Sequence, residues 1–598
     1  MNVVDISCRV GALTLLCAAT PARAGGSQHD EDRFSGSATF DTEIRVQRYD
    51  PAPLVHSGGS KPRFVEQLSR WVIQGRYGDW TARVQLDQLV FAGLPHVVDG
   101  VRKPYIPPMQ AACPGPAEMC LANPLRSERP GLSGYINPEK VALEYRKGDV
   151  ELSLGDFYQS VGVGAVMNIN RNVDNDVDTS IQGARLKWQP GDWEVTALAG
   201  TLNRQQVFQD QLNVLQLDGD RRHTVGLMQV KRYGIGATTL GVHGLLYNYV
   251  DPPSTDRSVR GLRGLSASVK QVPDALIAGT TASTSVAGVE FSGEVSVVSY
   301  PESDLHSSIF VPALESRSPG VAAYGSSFWF AGRTTWQVEA RYLRNVYRLN
   351  NPIPVQYGYT VAAPPTLELE RAINIDTAAV TGSNALGGGL VRVDVTASDN
   401  TTPYVAVGVT RDEDLVNAAQ KSPAPETILQ LQGGVEVLAG EWGLLVESLA
   451  RTDIRDGDYG ADKQLYSAVD IKNPVPLGSS MQTALVGQYF VHGQDNSLRT
   501  PDPWHEINVS VGYLVTPAVG LTLYYDHTTN PVAGGNGNLR EDWPSAYGAA
   551  EVFWKPSTDW TVKAFHGGYA AGIRCSGGQC RNVPAFTGSR IAVVGTFD

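Results

Sequence analysis

The chain has 598 residues and a formal net charge of −12, with 42% hydrophobic and 18% charged residues. The acidic balance excludes a nucleic-acid binder, which needs a basic footprint, and the length exceeds what one soluble hydrophobic core normally serves. Beyond residue 24 no run approaches the roughly 18 uninterrupted apolar residues of a membrane-spanning helix.

Residues 1–24 carry Arg9, an apolar run from 11 to 19 and the small-residue pattern Ala22-Arg23-Ala24. This reads as a secretory signal peptide cleaved after Ala24, although Asp5 is unusual in its leading part. Cys17 follows Leu15-Leu16, which does not fit a lipoprotein cleavage site. Loss of Arg9, Arg23 and Asp5 leaves the remainder one unit more acidic. Residues 25–34 form a short extension, and 35–598 read as a single domain. An exported chain without a membrane helix points to the bacterial outer membrane. Cys8 and Cys17 leave with the signal, so Cys113 and Cys120, and Cys575 and Cys580, remain as two close pairs. In an oxidising compartment they are expected to be two local disulfides. The alternative, zinc, has the wrong spacing and no accompanying histidines.

From residue 80 onward one unit recurs: an alternating segment, a tight turn, a tryptophan and a second alternating segment. Trp80, Trp193, Trp336, Trp442 and Trp560 each open such a segment. After Trp80 one face carries Ala82, Val84 and Leu86, the other Thr81, Arg83, Gln85 and Asp87. A soluble sandwich shows the same alternation, but seldom as one uniform pattern over five hundred residues. The expected fold is all-β: a transmembrane, antiparallel, up-and-down barrel with the apolar face outward, charged residues inward and the five tryptophans as a membrane-interface girdle. Its inward candidates are Arg83, Asp87, Glu144, Arg146, Glu194, Glu339, Arg341, Glu447, Arg451 and Lys563. They carry both signs, which implies weak charge selectivity or ion pairs between neighbouring strands.

Short connections fall near residues 77–79, 147–149, 189–192, 232–236, 331–334, 398–402, 439–441, 474–479, 515–519 and 556–559, with longer polar loops between them. Residues 93–134, with eight prolines, form the longest clear external loop. The alternation of short and long breaks once, around the strand at about 285–300, so parity requires a further strand, expected at 262–271. The total is about 24 strands, within 22–26, with short periplasmic turns, long external loops and both termini periplasmic. Phe597 on the last strand fits an assembly signal, which makes the barrel-assembly machinery a partner during biogenesis alongside outer-membrane lipid.

One segment departs from the repeat. Gly155-Asp156-Phe157-Tyr158, then Gly162 and Gly164, an Arg/Asp-rich stretch, and Gly183-Ala184-Arg185 resemble the motif of an uncharacterised family of large single-chain bacterial outer-membrane barrels. The motif covers about residues 140–200, and Asp156 stands where Asn is common. The resemblance implies fold and location only. From the residues themselves, Gly162 and Gly164 permit sharp backbone turns, so the segment either folds into the lumen and constricts it or packs on the rim. Asp174, Asp176 and Asp178 imitate the start of a calcium loop, but Thr179 and Arg185 occupy the positions that need Gly and Glu. No metal site is expected.

The ten histidines form no metal-ligand pair, and no nucleophile elbow or phosphate loop occurs. His566 alone sits where a surface nucleophile could use it, and an interfacial structural role suits it better. No cofactor and no enzymatic activity are expected. No plug domain is seen ahead of the barrel, which disfavours an energy-coupled nutrient transporter. The expected function is a channel or transporter for polar solutes. The alternative is a platform whose lumen or loops hold a partner protein in an envelope secretion, motility or assembly machine.

Overall fold

The computed structural model describes residues 34–48, 63–94, 96–98, 101–103, 132–172, 177–203, 224–248, 275–299, 319–344, 346, 385–412, 426–440, 442–455, 461–475, 479–491, 504–528, 532–533, 538–539, 546–569, 572–576, 579–583 and 586–597. Residues 1–24, read as a signal peptide from the sequence, the Cys113/Cys120 pair and the strand expected at 262–271 lie outside them.

Twenty-four strands form one sheet. They are β1 (Ser35–Arg48), β2 (Arg63–Tyr77), β3 (Trp80–Leu94), β4 (Leu132–Lys147), β5 (Val150–Phe157), β6 (Ser180–Trp188), β7 (Trp193–Asn203) and β8 (Thr224–Ile235). Then come β9 (Thr238–Asn248), β10 (Ala275–Val286), β11 (Val289–Ser299), β12 (Gly320–Ala331), β13 (Thr334–Arg344), β14 (Ala385–Val395), β15 (Thr401–Asp412) and β16 (Glu426–Ala439). The circuit finishes with β17 (Trp442–Arg455), β18 (Ala461–Val475), β19 (Ser479–Val491), β20 (Trp504–Thr516), β21 (Val519–Thr528), β22 (Ala546–Ser557), β23 (Trp560–Tyr569) and β24 (Phe586–Phe597).

Each strand pairs antiparallel with the next, and β24 pairs with β1 from Ala38 opposite Phe597 to Gln47 opposite Gly588. The sheet is therefore a closed ring with no free edge. Twenty-four strands at about 4.8 Å spacing and about 40° tilt make a ring roughly 45–50 Å across between backbones, if circular.

The expected barrel and strand number are borne out, with one correction. The strand that restores parity is β10, Ala275–Val286, joined to β11 by a tight turn at Ala287-Gly288. Its sequence, ALIAGTTASTSV, has no charge to mark the inward face, so its alternation is faint. The turn also lacks the tryptophan that marks the hairpins opened by Trp193 and Trp336. Both turn residues have positive φ, 50° and 79°, the geometry that lets a two-residue hairpin follow the twist of its strands.

Burial alternates as the sequence pattern requires. On β9, Gly241, His243, Leu245 and Tyr247 are buried, while Val242, Gly244 and Leu246 between them are exposed. Val405, Val407 and Val409 of β15 and Leu429 and Leu431 of β16 likewise stand on the outside. An exterior so apolar over so large an area suits lipid rather than water.

Candidate functional site

The inner wall between β7 and β13 is layered by residue type, because residues opposite one another in register share a face. Toward the short turns runs a mostly charged and hydroxyl row: Glu194, Lys231, Gly241, Thr281, Glu294, Tyr324 and Arg341. Two residues further along each strand come Thr196, Gln229, His243, Gly279 and Ser296. Beyond them lies an apolar row of Leu198, Leu227, Leu245, Ile277 and Val298.

An apolar inner row is unstable against water, and the chain covers it itself. Between β5 and β6 residues 158–172 turn inward, and Val161, Ala165, Val166, Met167 and Ile169 are at most 1% exposed. They form one apolar cluster with Phe157, Leu198, Leu227, Leu245, Tyr247, Ile277 and Val298. The segment therefore seats inside the barrel, the inward of the two arrangements the sequence allows.

Its motif residues are brought together. Gly155 has φ +88°, and a Cβ there would lie 2.0 Å from the Val141 carbonyl oxygen. At Gly183 a Cβ would lie 2.1 Å from the Ala199 oxygen, so both positions need glycine for close strand approach. Asp156 accepts from the Val141 amide at 2.8 Å, Ser180 Oγ at 2.9 Å and Asn203 Nδ2 at 2.7 Å. An asparagine would turn its own NH2 group toward one of these donors, so the acidic variant of the motif fits its surroundings. Arg185 donates to the Tyr158 carbonyl at 3.0 Å and to Glu151 at 2.6 Å, with its guanidinium 5.3 Å from the Phe157 ring.

Beyond Tyr158, Lys140 Nζ donates to the Tyr158 hydroxyl at 2.8 Å and pairs with the Asp178 carboxylate, to which the Tyr158 hydroxyl also donates. Burial pushes the Tyr158 hydroxyl well above its ordinary range, and the negative Asp178 adds to this. Burial alone would raise Asp178, but the Lys140 ammonium and the Tyr158 hydroxyl outweigh it and hold the carboxyl below its usual value. Asp178, first met as part of a failed calcium pattern, is thus an anchor of the inward segment.

A second anchor lies far along the chain. The amides of Val163 and Ala165 donate to Glu294 Oε2 at 2.9 and 3.3 Å. The Gly164 amide turns back to the Val161 carbonyl at 2.8 Å. Glu294 and Lys140 are absent from the residues singled out in the sequence. The alternation of Glu290, Ser292, Glu294 and Ser296 on β11 was the signal that could have found the first of them.

The ten inward candidates do not converge on one centre. Asp87 is gripped by Arg70, with Nε to Oδ1 at 3.0 Å and Nη2 to Oδ2 at 2.8 Å, and Arg83 shares its strand face. Arg146 bridges Glu144 and Glu151, each at 3.3 Å, and through Glu151 joins Arg185. Glu194 is surrounded by Tyr233 and Gln189 at 2.8 Å, Lys187 at 3.0 Å and Lys231 at 3.1 Å. Glu447 accepts from Tyr404 at 2.9 Å and Gln432 at 3.3 Å. Glu339, Arg341 and Arg451 are buried, while Lys563 is exposed. Much of the wall charge is thus committed to ladders between strands.

Trp80, Trp193 and Trp336 are exposed beside the short turns, and Trp560 packs edge-on against Phe597 at 5.3 Å. Trp442 opens β17, its side chain lying outside the described residues. Trp188, Trp329 and Trp554, each shortly before a turn rather than after it, are exposed at the same end. Cys575 and Cys580 face each other in register on a short hairpin. His566 Nδ1 lies 2.8 Å from Ser589 Oγ on the exposed face. Among the described residues no group of three metal-ligating side chains occurs.

No family model and no curated protein matches the chain. Among solved structures, the P pilus usher (PapC) translocation pore is 9% identical with a TM-score of 0.40, covering 94% of this chain and 99% of its own. The outer membrane protein OpdK of Pseudomonas aeruginosa is 9% identical with a TM-score of 0.34, covering 73% and 97%. OccK9 (OpdG) of the same organism is 10% identical with a TM-score of 0.36 over the same shares. At that level of likeness the neighbours say nothing about this barrel's cargo.

Proposed function

We propose that the chain is a bacterial outer-membrane channel or transporter for polar solutes, narrowed from within by its own residues 158–172. The seating of Val161 to Ile169 on the inner wall carries this reading. A ring this wide exceeds the porins that already hold an aqueous pore, and a charged and hydroxyl-bearing wall on the turn side of the segment suits polar cargo. A chain that narrows its own lumen has less need of a partner to stop leakage, which weakens the platform alternative. The reading includes export by the signal peptide, membership of the family suggested by the Gly155–Arg185 motif, disulfides at Cys113/Cys120 and Cys575/Cys580, and exposed tryptophans set at the periplasmic membrane interface. It assigns no catalytic role.

The test is single-channel conductance of the detergent-purified mature chain in a planar bilayer. Discrete steps that grow when residues 161–169 are replaced by a short Gly/Ser link are expected. Silence from both forms, with insertion shown independently, would overturn passage through this lumen.

A further inference from the structure

Building on the reading of the barrel as a conduit, we infer that the turn Val163-Gly164-Ala165 is a binding site for a carboxylate group. In this structure Glu294 of β11 fills it, and a solute carboxylate that replaces Glu294 frees the turn from its tie to β11.

The geometry is that of an anion receptor. Two amides with one residue between them converge on a single oxygen, Glu294 Oε2, at 2.9 and 3.3 Å. Such convergence of backbone N–H groups in a turn forms a concavity for negative charge. The glycines shape it. Gly162 and Gly164 have φ of +52° and +91°, conformations that L side chains rarely adopt. At Gly162 a Cβ would lie 2.5 Å from Glu294 Oε2 and 2.7 Å from Thr281 Cγ2, so only glycine lets the turn close around the carboxylate. The other carboxylate oxygen, Oε1, has Ser296 Oγ 3.4 Å away.

Access and reach make the site more than a strut. Gly162 is exposed and Val163 half-buried, while Gly164, Ala165 and Glu294 are buried, so the carboxylate is approached past Gly162. The two partners are 131 residues apart, and the contact joins a segment rooted between β5 and β6 to the wall at β11. An occupant that offers the same group without being tied to β11 satisfies the amides and leaves the turn without its hydrogen-bonded link to that strand. Both amides address one oxygen of the carboxylate, and Ser296 Oγ stands beside the other.

The test uses the full mature chain carrying Val163→Cys, which keeps the backbone amide. The rate of modification by a cationic, membrane-impermeant thiol reagent is read against the parent chain. Sodium acetate is compared with sodium chloride at equal ionic strength. Acetate should speed labelling several-fold in the chain with Glu294 intact. Glu294→Ala in chloride should label about tenfold faster, the scale of one charge-assisted hydrogen bond, and acetate should slow it again by refilling the emptied turn. Glu294→Gln, which keeps the shape and one acceptor, should fall between.

Labelling that ignores acetate in both backgrounds overturns the carboxylate site. Rescue of Glu294→Ala without any acceleration of the intact chain overturns the exchange with Glu294. Heat-dependent gel migration of each variant confirms that the barrel has formed. Because labelling does not need current, a barrel that never conducts defeats the conduit reading while leaving the site's own test intact.

Discussion

At the scale of single residues, glycines and one acid decide whether the inward segment can be held. Gly183→Ala puts a methyl group into the β7 backbone and should cost about 1–3 kcal/mol. Gly155→Ala adds a left-handed penalty of about 1–2 kcal/mol to a similar clash. Both should lower the urea midpoint of the folded, heat-modifiable form, and a Gly155→Ala barrel as stable as the parent would contradict the close approach to Val141. Asp178 gives a pH signature. Its folded-state carboxyl lies below the ordinary value near 4, so its contribution is complete above that value and is lost as pH falls through the lower folded one. Protease cleavage within residues 158–178 should therefore rise only below about pH 4. Asp178→Asn, which leaves Lys140 buried without its counter-charge, should show that cleavage already at neutral pH. The Gly155–Tyr158 and Gly183–Arg185 motif was legible because glycine and charge stand out against a monotonous strand pattern. Lys140 and Glu294 were not, since an inward charge on a barrel strand looks like every other inward charge until a partner 38 or 131 residues away is placed beside it.

At the scale of elements, turn chemistry and the faint alternation of one strand set what could be read. Hairpins marked by tryptophan declared themselves. The hairpin of β10 and β11 did not, because its turn is Ala287-Gly288 and its first strand is mostly Ala, Gly, Ser and Thr. Tertiary pairing with β9 and β11, rather than amphipathicity, fixes β10 in place. Ala287 sits at φ 50°, where a Cβ is unfavourable, so Ala287→Gly should stabilise the barrel by up to about 1 kcal/mol, visible as a higher urea midpoint. An unchanged or lower midpoint would mean the turn relaxes in the membrane. Replacing residues 161–169 by a short link acts on a whole element: the barrel should still fold, because the β5–β6 pairing from Phe157 opposite Ile181 to Val150 opposite Trp188 does not involve them. Its apolar inner row should then bind a solvatochromic dye that the parent excludes.

At the scale of the molecule, ring closure through β1 and β24 removes every sheet edge, so the unheated sample should migrate apart from the heated one on a denaturing gel. Substituting Lys for Val593 or Ile591 on the outward face of β24 should reduce that folded band, since a lysine facing mid-membrane lipid costs about 2–4 kcal/mol. Size, strand number and the outward apolar face were open to sequence reading because each is repeated twenty-four times. What the lumen contains was not, because one unrepeated segment determines it.

The place of that segment in the chain has a kinetic consequence. It is made between β5 and β6, yet its seat is built by β7 to β11, which follow in sequence. Contacts of such long sequence separation form late. A wall that has closed while the insert still hangs unseated is therefore an expected species on the route to the finished barrel, and during its lifetime the cell envelope would carry a far wider hole than the mature protein presents.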